Sequence, residues 1–312
     1  MQAAQQKAAR RHGIGALGLL AVGIGVALAL LDAIPASAAT LDRVRQAGKL
    51  VFGYRADARP FSFDDGGKPT GYSITLCQNV ADEVKTELGI ADLKVEWVPV
   101  AVEDRFATLE QGKIDLLCGA EVTLERRKQV SFSIPIFPGG IAAMLRSDAP
   151  RALQDVLAGR PASGPIWRGS PAQILEDKTF SVVSGTTGQS WLEKRLNEFQ
   201  LTAEVVPVDS YDAGTMRVLD RTSDVFFGDR SILVEAAAGN PSGADLMVLD
   251  RQFTSQPIAL TMARNDDDFR LVVDRSLSLQ FSSKEFRDLY TKWFGAPDDE
   301  VTAFFRQSAL PE

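Results

Sequence analysis

The amino-acid sequence predicts an α/β protein of two lobes, each a mostly parallel sheet flanked by helices, joined by two hinge crossings. Three observations point there. The 312 residues, 45% hydrophobic and 24% charged, are ordinary for a globular chain and long enough for more than one core. Short apolar stretches alternate with helical-period stretches in two successive series, the pattern of parallel strands joined by helices. Two further apolar runs, Ile141–Arg146 and Ile258–Ala263, stand where the chain would leave the first lobe and return to it.

In chain order, residues 1–39 are set apart. Lys7, Arg10 and Arg11 form a basic start, residues 14–31 an apolar run, and Ala36-Ser37-Ala38 a small-residue cleavage pattern. A signal peptide cut near Ala38/Ala39 and a periplasmic location are expected. A retained anchor is the alternative, since the run is near membrane-spanning length. Residues 50–54 read as a buried strand, followed by a loop with Pro60 and a turn at 64–67. Cys77, Val80, Ala81, Val84 and Leu88 recur at helical spacing over 74–88. Leu93, Val95 and Trp97 alternate as a strand that Pro99 ends. A short helix with Phe106 and Leu109 comes next, then a strand over 114–117 that breaks at Gly119. A charged helical segment is expected from Thr123, with Thr123 as cap and Glu125 in the first turn. Residues 137–140 interrupt the pattern, and 148–177 read as an extended surface connection. The second series runs through a strand at 180–183, a helix at 188–199 and a strand at 205–208. A short helix at 215–220 (just after Gly214), a strand at 225–227 and the helix Arg230–Ala238 follow. Residues 246–249 close that lobe, and 269–294 supply two final helices. The lobes are expected at 40–143 with 258–312, and at 144–257.

Composition also excludes. The formal net charge of −7, or −9 without residues 1–39, argues against nucleic acid as a partner. The single histidine, His12, lies in the leader, which removes Ser-His and Cys-His nucleophiles and histidine metal sites. No catalytic residue, metal or cofactor is expected. In an exported chain Cys77 and Cys118 invite a disulfide, two small buried thiols being the alternative.

The junction within 114–132 is suited to anions. A strand end running into a helix start leaves backbone N–H groups free, and an arginine one turn on can close a planar fork on a carboxylate. The run Cys-Gly-Ala-Glu-Val-Thr-Leu-Glu-Arg-Arg-Lys-Gln-Val-Ser-Phe-Ser at 118–133 resembles the signature of periplasmic amino-acid-binding proteins of ABC importers, solute-binding family 3. Within them it is most like the glutamate/aspartate branch. Supporting marks are Pro60-Phe61-Ser62-Phe63, Gly71-Tyr72-Ser73, Ser184-Gly185-Thr186-Thr187 and Lys292-Trp293-Phe294-Gly295, and the similarity covers residues 42–294. The resemblance implies the periplasmic-binding-protein type II fold, capture of an L-amino acid, delivery to a membrane permease, and a monomer.

The same resemblance assigns the site. Arg126 would clamp the ligand α-carboxylate, with Gly119 at the strand end. On spacing alone it would be a solvated charge among Glu125, Arg127 and Lys128. Thr186, Thr187 and Gly188 would add hydroxyl and N–H donors from the second lobe, although Ser-Gly-Thr-Thr-Gly is also a common turn. Asp229 would take the α-ammonium, cap the following helix, or do both. Arg55 and Arg105 match arginines that face a distal carboxylate in the glutamate/aspartate branch. Three residues depart from that branch: Glu121 where Thr or Ser is common, Asp212 where a histidine can stand, and Val102 for a polar or aromatic residue. Glu121 and Asp212 would each set a negative charge near an acidic ligand. Two other functions stay open: a cyclohexadienyl-dehydratase-like enzyme with Glu121 as acid or base, and a sensory module.

Overall fold

The structure, a computed structural model, describes residues 39–160 and 171–311. The leader expected at 1–39, with His12, thus lies outside the described residues apart from Ala39, as does part of the 148–177 stretch. Helix α1 (Thr40–Ala47) leads into strand β1 (Lys49–Tyr54), and β2 (Asp57–Ala58), β3 (Ser62–Asp64) and β4 (Pro69–Thr70) form a small antiparallel sheet. Helix α2 (Tyr72–Leu88), strand β5 (Lys94–Pro99), helix α3 (Arg105–Glu110), and strands β6 (Leu116–Glu121) and β7 (Val130–Phe137) complete the first pass. Strand β8 (Ile141–Arg146) opens the second sheet. After it come α4 (Arg151–Ala158), β9 (Thr179–Val183), α5 (Thr187–Phe199), β10 (Glu204–Val208), α6 (Tyr211–Leu219), β11 (Val225–Asp229), α7 (Arg230–Ala238) and β12 (Leu246–Val248). Strand β13 (Ile258–Ala263) returns to the first sheet, followed by α8 (Asp267–Phe281), α9 (Lys284–Phe294) and α10 (Asp299–Ser308).

The sheets have orders β5-β1-β6-β13-β7 and β10-β9-β11-β8-β12. In each, four strands run one way and one runs against them: β13 in the first and β8 in the second. The odd strand is in both sheets the one that arrives from the other lobe. That is why the sheets are mostly, not wholly, parallel. Helix α2 turns Leu76, Val80 and Val84 into the first core, a spacing of four that puts them on one face. The second core gathers Phe180, Val182, Leu192, Val225 and Phe227. A bond between Cys77 and Cys118, with Cα atoms 6.1 Å apart, ties α2 to β6, so the expected disulfide is present.

Several sequence expectations are corrected. β6 does not break at Gly119; it runs through it to Glu121, with Gly119 at φ +122° and a register shift in the facing β13. Glycine there marks a strand irregularity rather than a strand end. The segment after Thr123 is no α-helix but one 3-10 turn, Arg126–Lys128. Its only apolar residue before Val130 is Leu124, 85% exposed, so it has no stripe to bury. Residues 130–137, which had no assigned strand, form β7 on the sheet edge, where Pro135 is tolerated. Within the 148–177 stretch, 151–158 is a helix that buries Leu153 and Leu157. Pro150 and Gly159, which read as loop residues, stand at its two caps. Helix α6 starts at Tyr211, four residues earlier than expected, because Ser210 Oγ accepts from the Ala213 N–H at 3.1 Å. Gly214 lies inside it, where any Cβ would strike the Phe226 ring. Helices α1 and α10 were not anticipated. The first crossing falls at 138–140, since 141–143 already pair in the second sheet.

Candidate functional site: a cleft at the strand ends

In a parallel sheet the crevice beyond the carboxyl ends of the strands is where ligands bind. Arg55 directly follows β1 and Glu121 ends β6. In the other lobe, Thr186 follows β9 at the start of α5, and Asp229 ends β11. Arg105 opens α3. Across the cleft, Arg105 Nη2 donates to the Gly185 carbonyl at 3.5 Å and the Arg55 guanidinium lies 5.6 Å from the Tyr211 ring centre. Thr187 Oγ1 donates to Gln256 Oε1 at 2.9 Å.

The three arginines differ in their partners. Arg55 grips Asp57 through Nε at 3.0 Å and Nη2 at 2.8 Å. Arg126, its side chain 11% exposed, donates from Nη1 to Glu121 twice: to the carbonyl at 2.8 Å and to Oε2 at 2.6 Å. Arg105, 3% exposed, donates to the carbonyls of Val102 and Gly185. The Phe106 ring takes both the Arg105 and Arg126 guanidiniums, at 4.7 and 5.1 Å. Burial, joined by the like charges of Arg126 and Arg55, lowers the Arg105 pKa to about 10.

The two carboxylates have opposite electrostatics. Burial works against ionised Glu121, but Arg126 and Arg105 outweigh it and hold the group down to about 2. Asp229 is pushed up to about 7, first by burial and then by the charge of Glu121. Its Oδ1 accepts from the Ser231 and Ile232 N–H groups at 2.9 and 3.4 Å, and Oδ2 from Gly140 at 3.4 Å. The expected cap is therefore present.

Two small cavities, of about 10 and 40 Å³, lie in the cleft. The first is lined by Thr186, Thr187, Gly188, Tyr211 and Asp229, the second by Arg55, Arg105 and Gly119, and Glu121 lines both. A larger groove of about 1390 Å³ lies against α7, α9 and α10 and shares no lining residue with them. The small cavities lie at the strand ends, among Arg55, Arg105, Glu121 and Asp229.

The structure thus brings together Arg55, Arg105, Gly119, Glu121, Thr186, Thr187, Gly188 and Asp229, with Arg126 behind Glu121. Asp212 is not among them. It is exposed on the first turn of α6, while its neighbour Tyr211 is buried and faces the cleft. Phe106, Tyr211, Gln256 and Gly140 were missed. Tyr211, just after a Ser cap, carried a readable signal; Gln256, in an irregular segment, carried none.

The sequence model of the bacterial extracellular solute-binding proteins, family 3, matches residues 50–296. The chain is 25% identical over 307 residues to the glutamate/aspartate import solute-binding protein of Escherichia coli (strain K12), covering 94% of this chain and 96% of that one. It is 26% identical over 261 residues to the L-glutamate/L-aspartate-binding protein of Pseudomonas aeruginosa, covering 83% and 80%. Among solved structures, an ancestral amino acid-binding protein described as a precursor of cyclohexadienyl dehydratase superposes with TM-score 0.67 at 25% identity, over 82% of this chain and all of that one. The cysteine-binding protein of Campylobacter jejuni shares the fold, with TM-score 0.66 at 20% identity over 84% and 96%. With its mixed sheets, its two crossings and this match over most of its length, the chain belongs to the bacterial extracellular solute-binding proteins, family 3.

Proposed function

We propose that the protein captures an acidic L-amino acid, glutamate or aspartate, between its lobes in the periplasm and delivers it to the permease of an ABC importer. The observation that carries this reading is the gathering of three guanidiniums, Arg55, Arg105 and Arg126, opposite the buried carboxylate of Asp229. An acidic amino acid offers two carboxylates to the guanidiniums and one ammonium to Asp229, with the Glu121 carboxylate already seated on Arg126. In this reading Arg126 and Gly119 hold the α-carboxylate, aided by Thr186, Thr187 and Gly188 from the other lobe, and Asp229 takes the α-ammonium. Arg55 and Arg105 face the distal carboxylate. The segments 138–140 and 249–257 act as the hinge, and the chain works as a monomer after loss of its leader. Contacts from both lobes shift the population towards the closed form.

The test is thermal unfolding of residues 39–312, stripped of carried ligand by unfolding and refolding, against a panel of amino acids. At about a hundred times its dissociation constant a ligand adds roughly 2.7 kcal/mol. That is a rise of several degrees at about 2–4 °C per kcal/mol. Glutamate or aspartate should give the rise, and no rise with any amino acid rejects the reading.

An enzymatic reading has one supporting observation: Asp229, near 7, is poised for proton transfer. Glu121 is not, since a group held near 2 is neither a proton donor nor a strong base at neutral pH. Turnover of prephenate or arogenate, lost in Asp229→Asn, would favour it.

A further inference from the structure

Glu121 stands where it divides the cleft. It lines both the arginine cavity and the Asp229 cavity, and no other residue lines both. Its carboxylate oxygen lies 2.6 Å from Arg126 Nη1, with only 19% of its side chain exposed. Arg126 is nearly as enclosed as a core residue, and a cation there without a counter-charge would be costly. Glu121 supplies that counter-charge from within the chain. The backbone at Glu121 is fixed by pairing with Ile258 of β13, so the carbonyl bond to Arg126 does not depend on where the Glu121 side chain lies.

A similar arrangement holds at Arg55, whose fork carries Asp57, whereas Arg105 donates to carbonyl oxygens. An arriving ligand carboxylate directed at Arg126 meets a carboxylate already seated there. Two carboxylates on one guanidinium, in a site this dry, repel.

Resting on the amino-acid-binding reading above, we propose that Glu121 is a built-in competitor: it occupies the ligand carboxylate's place on Arg126 and must swing off it before a ligand can bridge the arginine side of the cleft to Asp229. Rotation of this one side chain joins the two cavities into a single site with guanidiniums at one end and the Asp229 carboxylate at the other. Glu121 is then the residue that sets affinity for every amino acid using Arg126, whatever its side chain.

The experiment is titration calorimetry of L-glutamate, L-aspartate, L-glutamine and L-arginine into the refolded chain and into Glu121→Gln, with the unfolding midpoint of the variant measured alongside. Gln keeps size and hydrogen bonding and removes the charge. For whichever amino acid binds, the variant should bind about tenfold tighter or more, the effect of removing one like-charge contact from a desolvated site. Binding by the variant alone supports the proposal equally. Equal or weaker binding in a folded variant overturns it and leaves the amino-acid reading intact. Binding of L-glutamine or L-arginine but not the acidic pair rejects the acidic-ligand reading, while the tightening on Glu121→Gln still decides the competitor. No binding by either protein rejects both.

Discussion

Asp229 and Glu121 share a cleft, yet their ionisation is driven apart by what surrounds each. Asp229 sits under backbone N–H groups and makes no ion pair among the described residues, so burial and the Glu121 charge raise it to about 7. A carboxyl raised above its unfolded value holds a proton in the folded state that the unfolded chain has released. Its effect is therefore a loss of stability as pH rises from about 4 to about 7. Asp229→Asn, neutral throughout and still a cap, should abolish that loss. Relative to the unchanged chain the variant should gain about 2–4 kcal/mol between pH 5 and pH 8 in denaturant melts. Parallel pH profiles for the two proteins would contradict the assignment. Glu121 carries the opposite sign: its contribution is present above about 4.5 and lost as pH falls through about 2. The charged residues that line or flank the cleft were named through the family resemblance, since on spacing alone Arg126, Arg55 and Arg105 read as solvated surface charges. Phe106 was not recognised as part of the site, since an aromatic residue on a helix reads as core until its neighbours are known. Asp212 was misplaced because one residue along a helix is a turn of about 100°, enough to move it from cleft to solvent.

At the scale of elements, β6 matters most. Its end carries Glu121, its middle holds Gly119, and Cys118 fastens it to α2. The disulfide closes a loop with a sequence separation of 41 residues. In the chain-entropy account a loop of that length is worth about 4 kcal/mol. Replacing both cysteines by Ser should lower the unfolding midpoint by roughly 8–16 °C, at the 2–4 °C per kcal/mol of a domain this size. A change below about 2 °C would mean that the bond does not constrain the unfolded chain as supposed. The apolar run of β13, and the helix α7 that follows Asp229, have the bounds read from the sequence. Where the sequence misled, the reason was local. Pro150 and Gly159 punctuate a helix from outside it, and the charges at 125–128 have a helical look without an apolar stripe to bury.

Over the whole molecule, the two sheets explain each other. Each holds one reversed strand because the chain enters each lobe once from the other, and the two crossings lie side by side, with Gln256 N–H donating to the Gly139 carbonyl at 2.8 Å. The ends of the parallel strands face one cleft, and every charged group of the site stands at or just past such an end or at a helix start. That much follows from alternating strands and helices, and was legible. The pairing of Glu121 with Arg126 was not, because it depends on a side-chain rotation that no spacing encodes. As described, the cleft cavities hold about 10 and 40 Å³, too little for an amino acid, so capture requires the lobes or Glu121 to move. The most direct test of amino-acid capture is a crystal structure of the refolded chain grown with L-glutamate. The ligand should lie between the lobes, its ammonium on Asp229, its α-carboxylate on Arg126 and the Glu121 side chain turned away. Glutamate bound elsewhere, or a cleft with Glu121 still on Arg126 and no ligand at saturating concentration, would contradict it.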